Sequence, residues 1–209
     1  MENGNPQLGE RTFVPVIVTG SDEDIAAIKI WWQNFYKKYF KLTLDFSDVK
    51  IPDYQFGFDW IIIIPKGLTI QQVLKAIKSK MKLWLYKDDL SDKDIAHNDR
   101  DANNGHYAVR FRKRVEADEE TKNLSANELA KRKIAGCTLL ERLIMTLAYF
   151  EESGKQLDVD NVTLCSGSRY SGGHVPRVGW YSDDSEVDVD LYDVDILYSD
   201  LRARVAVSC

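Results

Sequence analysis

The residues best suited to chemistry lie between positions 106 and 116, HYAVRFRKRVE. Its even positions hold His106, Arg110, Arg112 and Arg114. On an extended chain, alternate side chains share a face at a spacing of about 7 Å. A strand over 106–115 therefore lines one side with an imidazole and three guanidinium groups. Tyr107, Val109, Phe111 and Val115 form the other side, interrupted by Lys113. Like charges in a row repel, so something anionic is expected over them. Carboxylate and phosphate both match the guanidinium fork, which binds either bidentately. Two sources of that anion stay open. One is an external ligand. The other is the acidic row Glu186, Asp188 and Asp190, which has the same two-residue spacing. Opposite charges on neighbouring strands gain about 0.2–1 kcal/mol per pair.

A second candidate is CSGSRYSGGH, residues 165–174, which follows a short predicted strand at 162–164. Ser166, Ser168, Arg169 and His174, set among small residues, have the makings of an anion-cradling nest. The segment matches no phosphate-loop, dinucleotide or nucleophile-elbow pattern, and a plain flexible turn accounts for the same residues. His97, His106 and His174 are the only histidines, and none has zinc-ligand spacing. Asp99, Asp101 and Asn103 begin like a calcium loop, but Asn104 and Arg110 stand where glycine and a bidentate acid belong. An Asx-rich turn is the simpler reading. Neither metal nor cofactor is expected. A nucleophile–base pair of Cys165 with His106 or His174 requires convergence in space, whereas a free cysteine is more often a small buried hydrophobe.

These segments need elements to position them. In 209 residues, 44% hydrophobic and 29% charged, there is enough apolar material for a real core. Residues 1–10 read as a loose tail. A strand is expected at 13–18, then a helix capped by Ser21, with Ile28, Trp32, Phe35 and Tyr36 as its buried stripe. Tyr54, Phe56, Phe58 and Trp60 alternate into Ile61–Ile64, which predicts one strand running from half-buried to buried. Capping boxes at Thr69/Gln72, Ser125/Glu128 and Thr138/Glu141 start three further helices, and Gly154 ends the last. The polar stretch 87–105 reads as a surface loop or linker. The expected architecture is α+β, a mixed or mainly antiparallel sheet packed by about four helices. Residues 11–209 are taken as one domain, or as two subdomains (11–86 and 106–209) joined by 87–105.

One register is predictable. VPRVGWY and EVDVDL flank the turn Ser182–Ser185. Setting Tyr181 against Glu186 places Trp180, Val178 and Pro176 opposite Val187, Val189 and Leu191, all apolar on one face. The other face then holds Gly179 opposite Asp188 and Arg177 opposite Asp190. A one-residue slip would reverse every side chain.

The segments NDRDANNGHYAVRFRKRVEADEE, NLSANEL, TLLERLIMTLAYFEESGKQLDVDNVTLCSGSRYSGG and LRARVAV resemble a recurrent family of uncharacterised bacterial proteins. The likeness covers roughly the last 125 residues. It implies a bacterial, intracellular protein and assigns no catalytic residue. The net charge of −5 argues against nucleic acid and anionic membranes as partners. The polar start of the chain and the short apolar runs make a cytoplasmic location the expectation. Three functions stay open. The first is a binding module that engages an anionic small molecule or a partner protein through the arginine strand and the Ser/Gly loop. The second is a hydrolase or transferase acting on a phosphorylated substrate, with His106 or His174 as acid/base. The third is an acidic interaction protein whose 183–195 carboxylates meet a basic partner.

Overall fold

The aromatic residues of the first helix explain how the main core is closed. The computed structural model describes residues 22–209, so the strand expected at 13–18 and the Ser21 cap lie outside the described residues. Helix α1 (Asp22–Phe40) buries Ile28, Trp32, Phe35 and Tyr36 and exposes Lys37 and Lys38. That is the amphipathic stripe its spacing predicts. Two of these aromatics also act as donors. Trp32 Nε1 bonds the Ile61 carbonyl at 3.0 Å and Tyr36 Oη bonds the Ile63 carbonyl at 2.6 Å. Both carbonyls belong to β1 (Trp60–Ile64), an edge strand whose five residues are all buried. Indole and phenol donors thus cover an edge that would otherwise hold unpaired backbone groups.

On its other side β1 pairs antiparallel with β4 (Tyr107–Phe111), which also pairs with β10 (Val207–Ser208). A second sheet has five strands in the order β2-β8-β7-β5-β9. Its members are β2 (Lys82–Leu85), β8 (Glu186–Tyr192), β7 (Val175–Tyr181), β5 (Val162–Leu164) and β9 (Leu201–Ala203). The β7–β8 hairpin has the expected register, including Arg177 opposite Asp190 and Trp180 opposite Val187. Parallel pairs β2–β8 and β5–β9 make this sheet mixed.

Helix α4 (Leu139–Ser153) packs against β1, β7 and α2 (Ile70–Lys78). Its first ten residues are buried without exception, so it is the central helix rather than a surface one. Capping boxes at Thr69/Gln72, Ser125/Glu128 and Thr138/Glu141 start α2, α3 (Ala126–Lys131) and α4, and Gly154, at φ +68, stops α4. The chain is therefore α+β, with four helices among the described residues.

Central burial forces charged residues of α4 to find partners. Arg142 bonds Asp158 Oδ2 through Nε at 3.0 Å and Nη2 at 2.7 Å, and Arg204 Nη2 bonds Asp158 Oδ1 at 2.6 Å. Thr163 donates its hydroxyl to the same carboxylate. All four residues are buried. Burial pushes the Asp158 carboxyl up, but Arg204 and Arg142 pull harder and leave it below the usual carboxylate range.

Three expectations need correction. The strand expected over 106–115 ends at Phe111, so Arg112 and Arg114 lie beyond it. The alternation from Tyr54 is strand only from Trp60. The stretch 87–105 holds a strand, β3 (Ile95–Asn98), and two short 3-10 turns, Asp92–Asp94 and Ala102–Asn104. β3 pairs with β6 (Ser168–Tyr170), so the polar loop and the Ser/Gly segment bind each other. Leu90 and Ala102 share one buried cluster with Ile62, Leu143 and Val189. No described helix is long and apolar enough to cross a membrane.

Candidate functional site

The arginines were expected to bind anions; the structure buries Arg110, half-buries Arg112 and leaves Arg114 exposed but paired within the chain. Arg110 lies on β4 and is only 1% exposed. Its Nε donates to the Pro52 carbonyl at 2.7 Å and its Nη1 to the Phe58 carbonyl at 3.3 Å. The Tyr54 ring lies over the guanidinium with its centroid 5.7 Å away. No carboxylate among the described residues forms an ion pair with Arg110. Burial lowers its pKa, and Asp59, Tyr54 and Asp53 oppose that from a distance. Arg112 stacks on the Phe58 ring at 4.2 Å and bonds Asp118 Oδ2 at 3.0 Å.

These contacts pin one loop, residues 51–59, to the sheet. Its tip is a tight turn in which Phe58 N–H donates to the Gln55 carbonyl at 2.9 Å. Gly57, third in the turn, has φ +83, a value that favours glycine. The second position holds Phe56, which is 95% exposed, beside Tyr54 at 45%. Phe58 turns inward and is buried. The arginine strand is thus the base of an aromatic loop.

The other expected site residues, Ser166 apart, find partners within the chain. Arg114 clasps Glu120 with two bonds of 2.6 and 3.0 Å and holds that carboxyl down at about 2. Asp118, by contrast, is raised, because its burial outweighs the Val205 amide and the nearby arginines. The row Glu186, Asp188 and Asp190 lies in the other sheet, where Arg177 is its partner. His106 Nδ1 accepts from the Lys66 amide at 2.8 Å, and its ring meets the Phe46 ring edge-on. Ser168 Oγ accepts from the Leu139 amide at 2.9 Å and donates to Asn98 at 2.5 Å, so it serves the start of α4. Arg169 bonds the carbonyls of Ser166 and Ser168 at 2.7 and 2.8 Å. Ser166 is buried, its Oγ without a partner and so close to Gly136 that no Cβ fits there. His174 pairs with Asp193 at 3.0 Å. Cys165 is fully buried, and burial pushes its thiol up. No hydrogen bond joins it to a histidine among the described residues. The structure therefore gathers neither an open arginine face nor a thiol–imidazole pair there.

The loop residues Tyr54 and Phe56 were missed because their alternation was read as a strand. Gly57 inside that run was the available signal, since glycine weakens a strand interior and often marks a turn or bulge. Comparison with family models, curated proteins and solved structures finds no match for this chain.

Proposed function

We propose that this protein is a binding module that docks a partner protein by inserting Phe56 into an apolar pocket on that partner. The observation that carries this is the 95% exposure of Phe56 on a turn anchored by buried Arg110. Burying a phenylalanine side chain on docking gains about 1.5–3 kcal/mol. A loop already fixed in shape loses little further entropy when it binds, so most of that gain is retained. Asp53 is exposed and Asp59 half-buried beside the tip, which favours a pocket with a basic rim. The internal pairing of the arginines supports this protein-partner reading over an anionic small molecule.

A photo-cross-linking residue in place of Phe56 tests the reading in expressing cells. An adduct is expected that is absent when the same residue replaces exposed Val159. With the trapped protein purified, Phe56→Asp should weaken the complex at least about tenfold, the loss of the aromatic burial. Adducts of equal yield at both positions, or an unchanged affinity with Phe56→Asp, would sink the proposal.

A further inference from the structure

The five-stranded sheet has a face that is covered over only half its width. The register places Trp84 of β2 beside Asp188 of β8, and Asp188 beside Gly179 of β7. Glu186, Asp190, Arg177 and Tyr181 share that face, since they lie two residues from members of this row. The opposite face, with Val178, Val187 and Val189, belongs to the main core. Towards β5 and β9 the Trp84 face is covered by a smaller cluster of Leu124, Ala126 and Leu129. Towards β2 that cover ends, and Trp84 and Tyr181 are each 44% exposed.

We propose that this open half-face is a second docking surface, receiving a lysine- or arginine-bearing segment of a partner protein. Charge and ring chemistry both point to that occupant. Three carboxylates, half-buried Glu186 and Asp190 and buried Asp188, share the face with buried Arg177 and with exposed Lys82, which the register sets beside Glu186. The turn that ends the hairpin adds exposed Asp183 and Asp184. Arg177 is 4% exposed, with the Tyr181 and Tyr192 ring centroids 5.7 and 5.2 Å from its guanidinium carbon. It lies 2.7 Å from Asp188 and 3.0 Å from Asp190. The contact with Asp188 is an ion pair by distance but is not aligned as a hydrogen bond, and Arg177 Nε has no partner among the described residues. Counting Asp183 and Asp184 of the turn, five carboxylates stand here against two cations, Arg177 and Lys82. Aromatic faces attract cations, and exposed carboxylates beside them add ion pairing. A bound cationic side chain makes both contacts at once, whereas an acidic or nucleic-acid partner meets repulsion.

Nonapeptides of arginine, lysine and glutamate, titrated calorimetrically into the whole protein, test the surface. Binding of the two basic peptides and none of the acidic one is expected. The decisive variant is the charge-neutral Trp84→Ala with Tyr181→Ala, which should weaken the basic peptides about fivefold or more. Glu186→Gln with Asp190→Asn should weaken them again, and Phe56→Asp, which belongs to the docking loop, should leave them unchanged. No binding of the basic peptides overturns the inference. So does binding that the Trp84/Tyr181 variant leaves intact, since that result reports diffuse charge alone.

Discussion

Replacing Arg110 by methionine separates a clamp from a passive core residue. Methionine keeps the unbranched stem of the side chain and removes both donors, leaving the Pro52 and Phe58 carbonyls without their partner. A hydrogen bond to a charged group contributes about 1.5–3 kcal/mol. Two of them would sum to about 3–6 kcal/mol, less the relief of no longer burying a guanidinium. A net loss of about 3 kcal/mol is therefore expected, which in a chain of this size lowers Tm by roughly 6–12 °C. Urea unfolding with an unchanged slope would give the free energy. Hydrogen exchange at the Phe58 amide, bonded to Gln55 across the turn, would report the loop itself. Partner binding should fall although Phe56 is intact, because the loop now loses entropy on docking. A Tm within 2 °C of wild type together with undiminished Phe58 protection would refute the clamp, 2 °C being roughly the effect of only 0.5–1 kcal/mol.

Asp158→Asn leaves Arg142 and Arg204 buried beside a neutral amide and should cost about 3–5 kcal/mol by chemical denaturation. Because the folded Asp158 carboxyl lies below its ordinary value, its contribution is complete above the unfolded value near pH 4 and is lost as pH falls through the folded one. Wild-type stability should thus drop on the acid side, and the variant should lack that part of the slope. Tyr36→Phe removes the donor to the Ile63 carbonyl and should cost about 1–3 kcal/mol in the same assay. At Gly57 there is room for a Cβ, but φ is +83; Gly57→Ala should lower stability by about 1 kcal/mol through backbone strain alone.

Local rules carried the sequence reading a long way. The capping boxes named at Thr69/Gln72, Ser125/Glu128 and Thr138/Glu141 are present, because that motif closes within four residues and needs no tertiary help. The hairpin register followed from matching apolar positions, which a slip would have exposed. The candidate site was less legible. Periodicity placed Arg110 on a polar strand face, but it carries no information on what lies across that face. The partner proved to be backbone carbonyls of a loop 52–58 residues earlier in the chain. The same limit holds for Arg142 of α4, since nothing in the helical period announces the Asp158 carboxylate that pairs with it. In the Tyr54–Trp60 run, alternation outweighed glycine on paper, whereas in the fold the turn around Gly57 prevailed.

The donors that close β1 also bear on how the chain survives its own synthesis. Trp32 and Tyr36 leave the ribosome before Ile61 and Ile63, the carbonyls they later engage. The run of four isoleucines is the kind of segment that recruits other chains when exposed in a nascent polypeptide. Here its guardian emerges first, while the strand that pairs with its other side, at Tyr107–Phe111, arrives more than forty residues later. The order of elements along the gene thus shortens the interval in which the stickiest segment of the protein stands alone.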